Sequence, residues 1–266
     1  MKRLIRWILN HVPRTLLQRV AGWAVPILGI AYIGRGRECP ICGKRLRRFL
    51  PYGYVTSRED ALCPRCLGLE RHRMIWLWIL RNTDLLERKP RLLHIAPEIS
   101  LMNHFKRIYR NTDCYITADL ESPLANMHFD VQEIPMESRS VDVVICNHLL
   151  EHVEDDRKAM RELYRIMRPG GWGIMIVPEN RSLAETFEDD SITDPKERSR
   201  LFGQYDHRRL YGRDYDTRLS EAGFKVERIA FADSLTQEER ELYGIGREDL
   251  VVVRRPHTNE SKRRWL

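Results

Sequence analysis

The clearest hydrophobic run in the chain lies at 141–146, where β-branched residues follow one another between polar neighbours. Such a run predicts a strand that is buried on both faces. A helical pattern follows, with apolar residues at Met160, Leu163 and Met167, acidic residues at its start and Pro-Gly-Gly at its end. A second apolar run at 172–177 completes a strand-helix-strand unit, which indicates a parallel sheet.

Further elements are predicted on both sides of this unit. The predicted strands are 91–95, 115–119, 128–131, 225–231 and 249–254, and the predicted helices are 74–85, 195–202 and 215–222. A chain of 266 residues has room for one α/β domain and a small appendage.

The segment 141–178 resembles strands four and five of class I S-adenosylmethionine-dependent methyltransferases of the type 11 branch. It carries Leu-Glu-His-Val after the first strand and Arg-Pro-Gly-Gly before the second. The motifs ERHR (70–73), HIAPE (94–98) and DPKERSRLFGQYDH (194–207) are similar to those of a family of methyltransferases with a zinc module. The resemblance implies an α/β, Rossmann-like, seven-stranded methyltransferase sheet over 76–256. A unit of another doubly wound fold is the alternative, because such folds host many functions.

The resemblance also implies that S-adenosylmethionine binds at the turn after the first strand. Methyltransferases normally have an acidic residue followed by GxGxG at this place. Here His94 takes the acidic position, Ala96 the first glycine and Glu98 the second, with Pro97 between them. We expect the turn to pass the ligand at Ala96 and the Glu98 carboxylate to accept from the cofactor's ammonium group.

The remaining cofactor residues are expected after the next three strands. Asp119 ends the second strand, at a distance from the turn that suits a carboxylate accepting from ribose hydroxyls, and Leu120 follows it. A helix cap or a surface carboxylate is the alternative for Asp119. The resemblance assigns Asp130 to the adenine amino group, the backbone N–H of Val131 to the ring, and Asn147 to the end of strand four.

Three histidines are the catalytic candidates. His148 and His152, with Glu151 between them, follow strand four, where open α/β sheets place ligands, and His207 lies in the later motif. Each is a candidate general base or hydrogen-bonding partner of the methyl acceptor, and a structural role is the alternative. Arg209 is a further candidate to line the acceptor pocket.

The same pattern also resembles the magnesium site of small-RNA 2′-O-methyltransferases, which carries ExxEH and a later histidine. His148 replaces the first glutamate of that motif. The donor set is therefore richer in nitrogen than Mg²⁺ prefers. Mg²⁺ remains a disfavoured alternative.

Cys39, Cys42, Cys63 and Cys66 form two CxxC pairs that are separated by 20 residues. This spacing predicts one tetrahedral zinc ion, and four cysteine ligands leave no open position, so the zinc is expected to be structural. The predicted zinc module covers 38–75. Two disulfides are the alternative if the protein is exported. Basic and aromatic residues between the pairs are compatible with RNA binding, and a simple folding unit is the other interpretation.

The N-terminal part of the chain carries the net positive charge. Residues 1–75 contain 15 Lys and Arg against 4 Asp and Glu, whereas 76–266 contain 30 against 34. The segment 1–37 is basic and amphipathic, and its uncharged stretch at 20–33 has 14 residues where a bilayer span needs roughly 20. We expect either a helix on the inner face of the membrane or a helix that packs on the catalytic domain.

A secretory signal is disfavoured because export would separate the protein from a cytosolic cofactor. The expected location is therefore cytoplasmic, with peripheral contact to the inner membrane face as an option. The tail 257–266 is expected to be disordered.

The acceptor class is left open by the sequence. A small molecule or glycan made near the membrane fits the amphipathic front, and RNA fits the basic zinc module. A protein that binds the cofactor without catalysis is the third hypothesis, because the cofactor turn lacks its usual glycines.

Overall fold

The computed structural model describes residues 29–53 and 57–257. The predicted amphipathic segment therefore lies outside the described residues up to residue 28, and the predicted tail does so from residue 258. None of the helices in the described ranges combines the length and the apolar content needed to cross a bilayer.

The described residues form thirteen strands, seven α-helices and one 3₁₀ helix with the following bounds. In chain order they are β1 (Ile33–Cys39), β2 (Lys44–Leu46), β3 (Leu50–Tyr52), β4 (Arg58–Leu62), α1 (Glu70–Asn82), α2 (Leu85–Arg88), β5 (Leu92–Ile95), α3 (Ile99–Ile108), β6 (Tyr115–Asp119), β7 (Met127–His128), β8 (Val141–Cys146), α4 (Asp156–Ile166), β9 (Met167–Ile174), β10 (Phe187–Glu188), α5 (Pro195–Phe202), β11 (Arg209–Leu210), α6 (Tyr215–Glu221), β12 (Lys225–Ile229), a 3₁₀ helix (Phe231–Ser234), α7 (Gln237–Tyr243) and β13 (Leu250–Arg254).

The chain divides into two compact units. The first contains the described residues up to Asn82 together with Glu98–His104 and Ala232–Arg247, and the second contains the rest. In the first unit, β1 pairs with β2 and β3 pairs with β4, in two small antiparallel sheets. The predicted boundary between residues 75 and 76 falls inside α1, and the predicted domain limits stay predictions.

A seven-stranded sheet forms the second unit. Its order is β12-β13-β9-β8-β5-β6-β7, and β13 runs antiparallel to both of its neighbours while the other pairs are parallel. Strands β5 to β9 are thus connected as a doubly wound sheet, and the last two strands complete it as a pair. This arrangement confirms the predicted fold class, a seven-stranded class I methyltransferase sheet.

Helix α4 shows how the sequence builds the core of this unit. The Asp155 side chain caps the helix by accepting from the backbone N–H of Lys158 at 2.8 Å. One face of the helix is completely buried in the same hydrophobic cluster as the sheet, through Ala159, Met160, Leu163 and Ile166. The apolar spacing that predicted the helix is therefore the spacing that packs it.

The Pro-Gly-Gly segment belongs to a strand, although the sequence pattern places it between the helix and the second strand. It lies within β9, which begins at Met167 and shifts its register against β8 between Val141 and Val143. A Cβ at Gly171 would lie 2.7 Å from the backbone oxygen of Asp142. The glycine is therefore needed where the two strands approach each other closely, and the predicted start of the second strand at residue 172 was wrong.

Candidate active site

Three parallel strands end side by side at one edge of the seven-stranded sheet. Ile95, the last residue of β5, pairs with Ala118 of β6 on one side and with Cys146 of β8 on the other. Asp119 and Asn147 come next in the chain, so they lie at the same level of the sheet. This carboxyl edge is where open α/β sheets bind their ligands.

The turn after β5 takes an unusual backbone conformation. Ala96 has a φ of +48° and donates its backbone N–H to the carbonyl of Ala118 at 2.8 Å. This left-handed region favours glycine, because a Cβ there lies close to the following carbonyl oxygen. The alanine thus adopts a backbone conformation that glycine adopts more readily.

His94 and Glu98 lie on either side of this turn. His94 is fully buried, and its Nδ1 lies 3.0 Å from the Tyr115 hydroxyl. Glu98 belongs to the first unit, where one carboxylate oxygen lies 3.8 Å from His72 Nε2. The parts that His94, Pro97 and Glu98 were predicted to play in cofactor binding stay predictions.

Asp119 is half-buried at the end of β6. Its Oδ1 accepts from the backbone N–H groups of Glu121 at 3.0 Å and Ser122 at 2.8 Å. Within the described residues no protein donor reaches Oδ2, which is therefore available to a ligand hydroxyl. Leu120 follows with 64% of its side chain exposed, and an exposed leucine beside a polar edge is suited to cover an apolar ligand surface.

Asp130 lies beyond the end of β7, because the third strand is shorter than predicted. Both of its carboxylate oxygens accept from the Gln132 side chain, at 3.1 and 2.9 Å, and Oδ1 also accepts from the Gln132 backbone at 2.8 Å. Val131 is buried. A ligand amino group at Asp130 therefore has to share the carboxylate with Gln132.

The segment after β8 carries the acceptor-site candidates. The Asn147 side chain is buried and accepts from the backbone of Ile176 at 3.2 Å, and the His148 backbone donates to the same residue at 2.7 Å. Glu151 is 1% exposed, and its Oε1 lies 3.4 Å from His148 Nδ1. Burial alone raises the pKa of the Glu151 carboxyl, but His148 and His152 outweigh it and hold that pKa below its ordinary value.

His207 lies against this segment although it follows it by more than fifty residues. Its ring is 4.7 Å from the His152 ring and nearly perpendicular to it. Its Nδ1 donates to the carbonyl of Phe202 at 2.9 Å, which leaves Nε2 as the acceptor atom. Burial is the main reason why the pKa of His207 lies below its ordinary value, so the ring is neutral near neutral pH. The structure thus brings the three predicted histidines together.

Arg209 does not line the acceptor pocket as predicted. It is buried in β11 and donates to the Glu188 carboxylate and to the carbonyls of Leu150, Val153 and Glu154, at 2.7 to 2.9 Å. Arg209 therefore holds the loop that carries Glu151 and His152. Sequence reasoning missed this role because the three carbonyl acceptors lie 55 to 59 residues away and have no sequence signal.

The four cysteines of the first unit lie within 4.8 Å of one another. Sγ of Cys39 and Sγ of Cys66 are 3.6 Å apart, and those of Cys42 and Cys63 are 3.9 Å apart. Four sulfurs placed about 2.3 Å from one tetrahedral zinc ion are about 3.8 Å apart, so the cluster fits the ion. None of the six cysteines forms a disulfide within the described residues.

Comparison with known proteins agrees with this architecture. The sequence model of a family described as "Methyltransferase domain" matches residues 106–175. These residues cover α3 in part, β6 to β8, α4 and β9, which include the strands that carry Asp119 and Asn147.

Two curated proteins are similar to part of the chain. The arsenite methyltransferase of Mus musculus is 28% identical over 120 residues, which are 42% of this chain and 28% of that protein. A Mycolicibacterium smegmatis protein described as a "Probable S-adenosylmethionine-dependent methyltransferase" is 31% identical over 100 residues, which are 38% of this chain and 35% of that protein. The chain spans about a third of the length of these relatives.

One similar solved structure is an S-adenosylmethionine-dependent methyltransferase from Mesorhizobium loti. It matches with a TM-score of 0.43 and 15% identity, over 62% of this chain and 91% of that one.

Proposed function

Since this chain carries a class I S-adenosylmethionine-dependent methyltransferase domain, we propose that it transfers a methyl group from S-adenosylmethionine to a small-molecule or glycan acceptor. The observation that carries the proposal is the carboxyl edge of the sheet. There the strand register sets Ala96, Asp119 and Asn147 at one level. His148 and His152 lie in the segment after Asn147, and the His207 ring packs against His152.

The residues at this edge divide between the two substrates. We assign Asp119 Oδ2 to the ribose hydroxyls, Leu120 and Val131 to the adenine ring, and the backbone at Ala96 to the methionine end of the cofactor. When bound, the cofactor supplies an electrophilic methyl group on a sulfonium. The chain's contribution is to hold the acceptor atom in line with that group, because most of the barrier can be removed by placing two reactants together.

The acceptor side is formed by His148, His152 and His207. His207 is neutral and keeps Nε2 as an acceptor, so it is suited to take a hydrogen bond from an acceptor hydroxyl. Because Glu151 and His207 are both buried, the site favours a small polar methyl acceptor over an acceptor that presents a large surface. Because the cofactor is cytosolic, we also propose that the protein is cytoplasmic and that it can contact the inner face of the membrane.

RNA is the second candidate acceptor, because the first unit exposes basic residues. Lys44, Arg45, Arg47 and Arg48 are all exposed there, although Arg45 pairs with Glu38 and Arg47 donates to two backbone carbonyls. Binding to RNA through these residues would weaken steeply with salt, since each neutralised phosphate releases counterions.

A transfer assay with radiolabelled S-adenosylmethionine and fractionated cell extract tests the proposal. We expect the label in a fraction of small molecules or glycans, and calorimetry should show one cofactor bound per chain. Label in RNA that disappears at high salt would support the second candidate. Cofactor binding without transfer to any fraction would support the non-catalytic hypothesis, and failure to bind the cofactor would refute all three.

A further inference from the structure

The acceptor side of the second unit contains a cluster of metal-ligand atoms. One carboxylate oxygen of Glu151 and one ring nitrogen each of His152 and His207 lie within 4.8 Å of one another. We propose that these three side chains bind one divalent transition-metal ion, which holds an oxygen of the methyl acceptor. The catalytic part of this inference rests on the proposed function, whereas the metal site itself does not.

Glu151 gives the first argument. Its side chain is 1% exposed, and neither carboxylate oxygen forms a hydrogen bond within the described part of the chain. His148 Nδ1 lies 3.4 Å from Oε1, without hydrogen-bond geometry. A buried carboxylate without hydrogen bonds is costly, so its presence here points to a ligand that satisfies its oxygens.

The two histidines give the second argument. The carbonyl of Phe202 accepts from His207 Nδ1 at 2.9 Å, which fixes the tautomer whose Nε2 lone pair is free to ligate. His152 Nδ1 lies 3.6 Å from Oδ2 of Asp206. Metal-ligating histidines almost always donate their second nitrogen to a carbonyl or a carboxylate. His207 makes this hydrogen bond, whereas the distance from His152 to Asp206 is longer than a hydrogen bond and only places a carboxylate beside the ring.

The donor set decides the class of metal. Mg²⁺ and Ca²⁺ prefer oxygen ligands, and thiolate sites such as the four-cysteine cluster select Zn²⁺. Two imidazoles with one carboxylate suit ions from Mn²⁺ to Zn²⁺ and leave open coordination positions. Such an ion makes the proposed function more specific, because it selects a methyl acceptor that carries a hydroxyl group.

The chemistry at such a site balances without another reactant. A metal-bound hydroxyl loses its proton to solvent at a lower pH than a free one, and its oxygen forms the bond to the methyl carbon. The methyl–sulfur bond breaks at the same time, and its electron pair stays on the sulfur, which leaves as a neutral thioether.

Mn²⁺ is the best probe because the cysteine cluster does not compete for it. The full chain, with one zinc per chain, is titrated with Mn²⁺, and the loss of the free-ion signal is followed by electron paramagnetic resonance. We expect one bound Mn²⁺ per chain, at least about 10-fold weaker binding in Glu151→Gln, and no displacement by equimolar Mg²⁺. Glu154→Gln is the matched control, since this exposed carboxylate lies three residues away, and it should bind as the wild type does.

His152→Gln provides a second variant if Glu151→Gln does not fold, which circular dichroism reports. No Mn²⁺ binding by the wild type, or equal binding by both ligand variants, would overturn the site, and displacement by equimolar Mg²⁺ would overturn the metal class. Calorimetry with S-adenosylmethionine is run on the same samples. Cofactor binding without Mn²⁺ binding refutes only this inference, and the reverse result refutes only the proposed function.

Discussion

Arg73 donates a hydrogen bond of 2.8 Å from its guanidinium to the backbone carbonyl of Gly244, which lies 171 residues later in the chain. The same side chain donates to the carbonyls of Tyr243, Ala61 and Gly68, at 2.6 to 2.9 Å. Its guanidinium carbon also lies 3.9 Å from the centre of the Phe49 ring. One buried cation thus ties the end of α7 to the segment that contains the four cysteines.

Replacing Arg73 with Met should destabilise the first unit strongly. The variant keeps much of the side-chain volume but leaves four backbone carbonyls without their donor, two of them buried. Removing one partner of a buried charged interaction costs about 3–5 kcal/mol. Urea denaturation followed by far-ultraviolet circular dichroism measures the change. Arg81→Met is the control, because Arg81 on the same helix also contacts α7, through Glu239, but in an exposed ion pair worth about 1 kcal/mol or less. Equal effects in the two variants would contradict this account.

Replacing Cys63 with Ser should remove the zinc ion. Three thiolates and a hydroxyl no longer satisfy an ion that prefers four sulfur ligands, and structural zinc sites contribute directly to folding. Metal analysis should give one zinc per wild-type chain and close to none in the variant, together with a lower unfolding temperature. Cys114→Ser lies outside the cluster and should keep its zinc. Zinc retained in the Cys63 variant would argue against the four-cysteine site.

Replacing Asp119 with Asn tests the ribose assignment. Asparagine retains an oxygen that can accept from the backbone of Glu121 and Ser122, so the turn is preserved while the negative charge is lost. A charged hydrogen bond contributes about 1.5–3 kcal/mol, so we expect S-adenosylmethionine to bind about 10- to 150-fold more weakly by calorimetry. Glu121→Gln should bind normally. If Glu121→Gln loses affinity instead, the ribose contact belongs to that neighbour.

Local sequence patterns predicted the second unit well. The strand at 115–119 and the helix at 195–202 have the predicted limits, since each depends on residues close together in sequence. Strand β8 was also recognised from its own apolar run. The segments 98–104 and 232–247 were assigned to the catalytic domain because nothing local to them reveals the partner residues of the first unit.

The candidate site was predictable only at the level of residue types. The motif after β8 identified the histidines, but the burial of Glu151 and the tautomer of His207 depend on Phe202 and on the loop that Arg209 holds. Such contacts join residues that are close in space and distant in sequence. Likewise, no pattern distinguishes an Asp130 that is available to a ligand from one that is held by Gln132.

Replacing Ala96 with Gly should stabilise the second unit. A non-glycine residue in the left-handed region costs roughly 1–2 kcal/mol, and glycine loses about 0.4–1 kcal/mol through the greater freedom of its unfolded chain. The net expectation is a gain of up to about 1.6 kcal/mol in the free energy of unfolding, measured by urea denaturation. Ala118→Gly is the matched control, because this buried alanine lies in the extended strand β6, where glycine weakens the strand, and it should lose about 1 kcal/mol. An equal loss in the free energy of unfolding at positions 96 and 118 would show that the backbone at Ala96 is extended. There would then be no basis for placing the methionine end of the cofactor close to this turn.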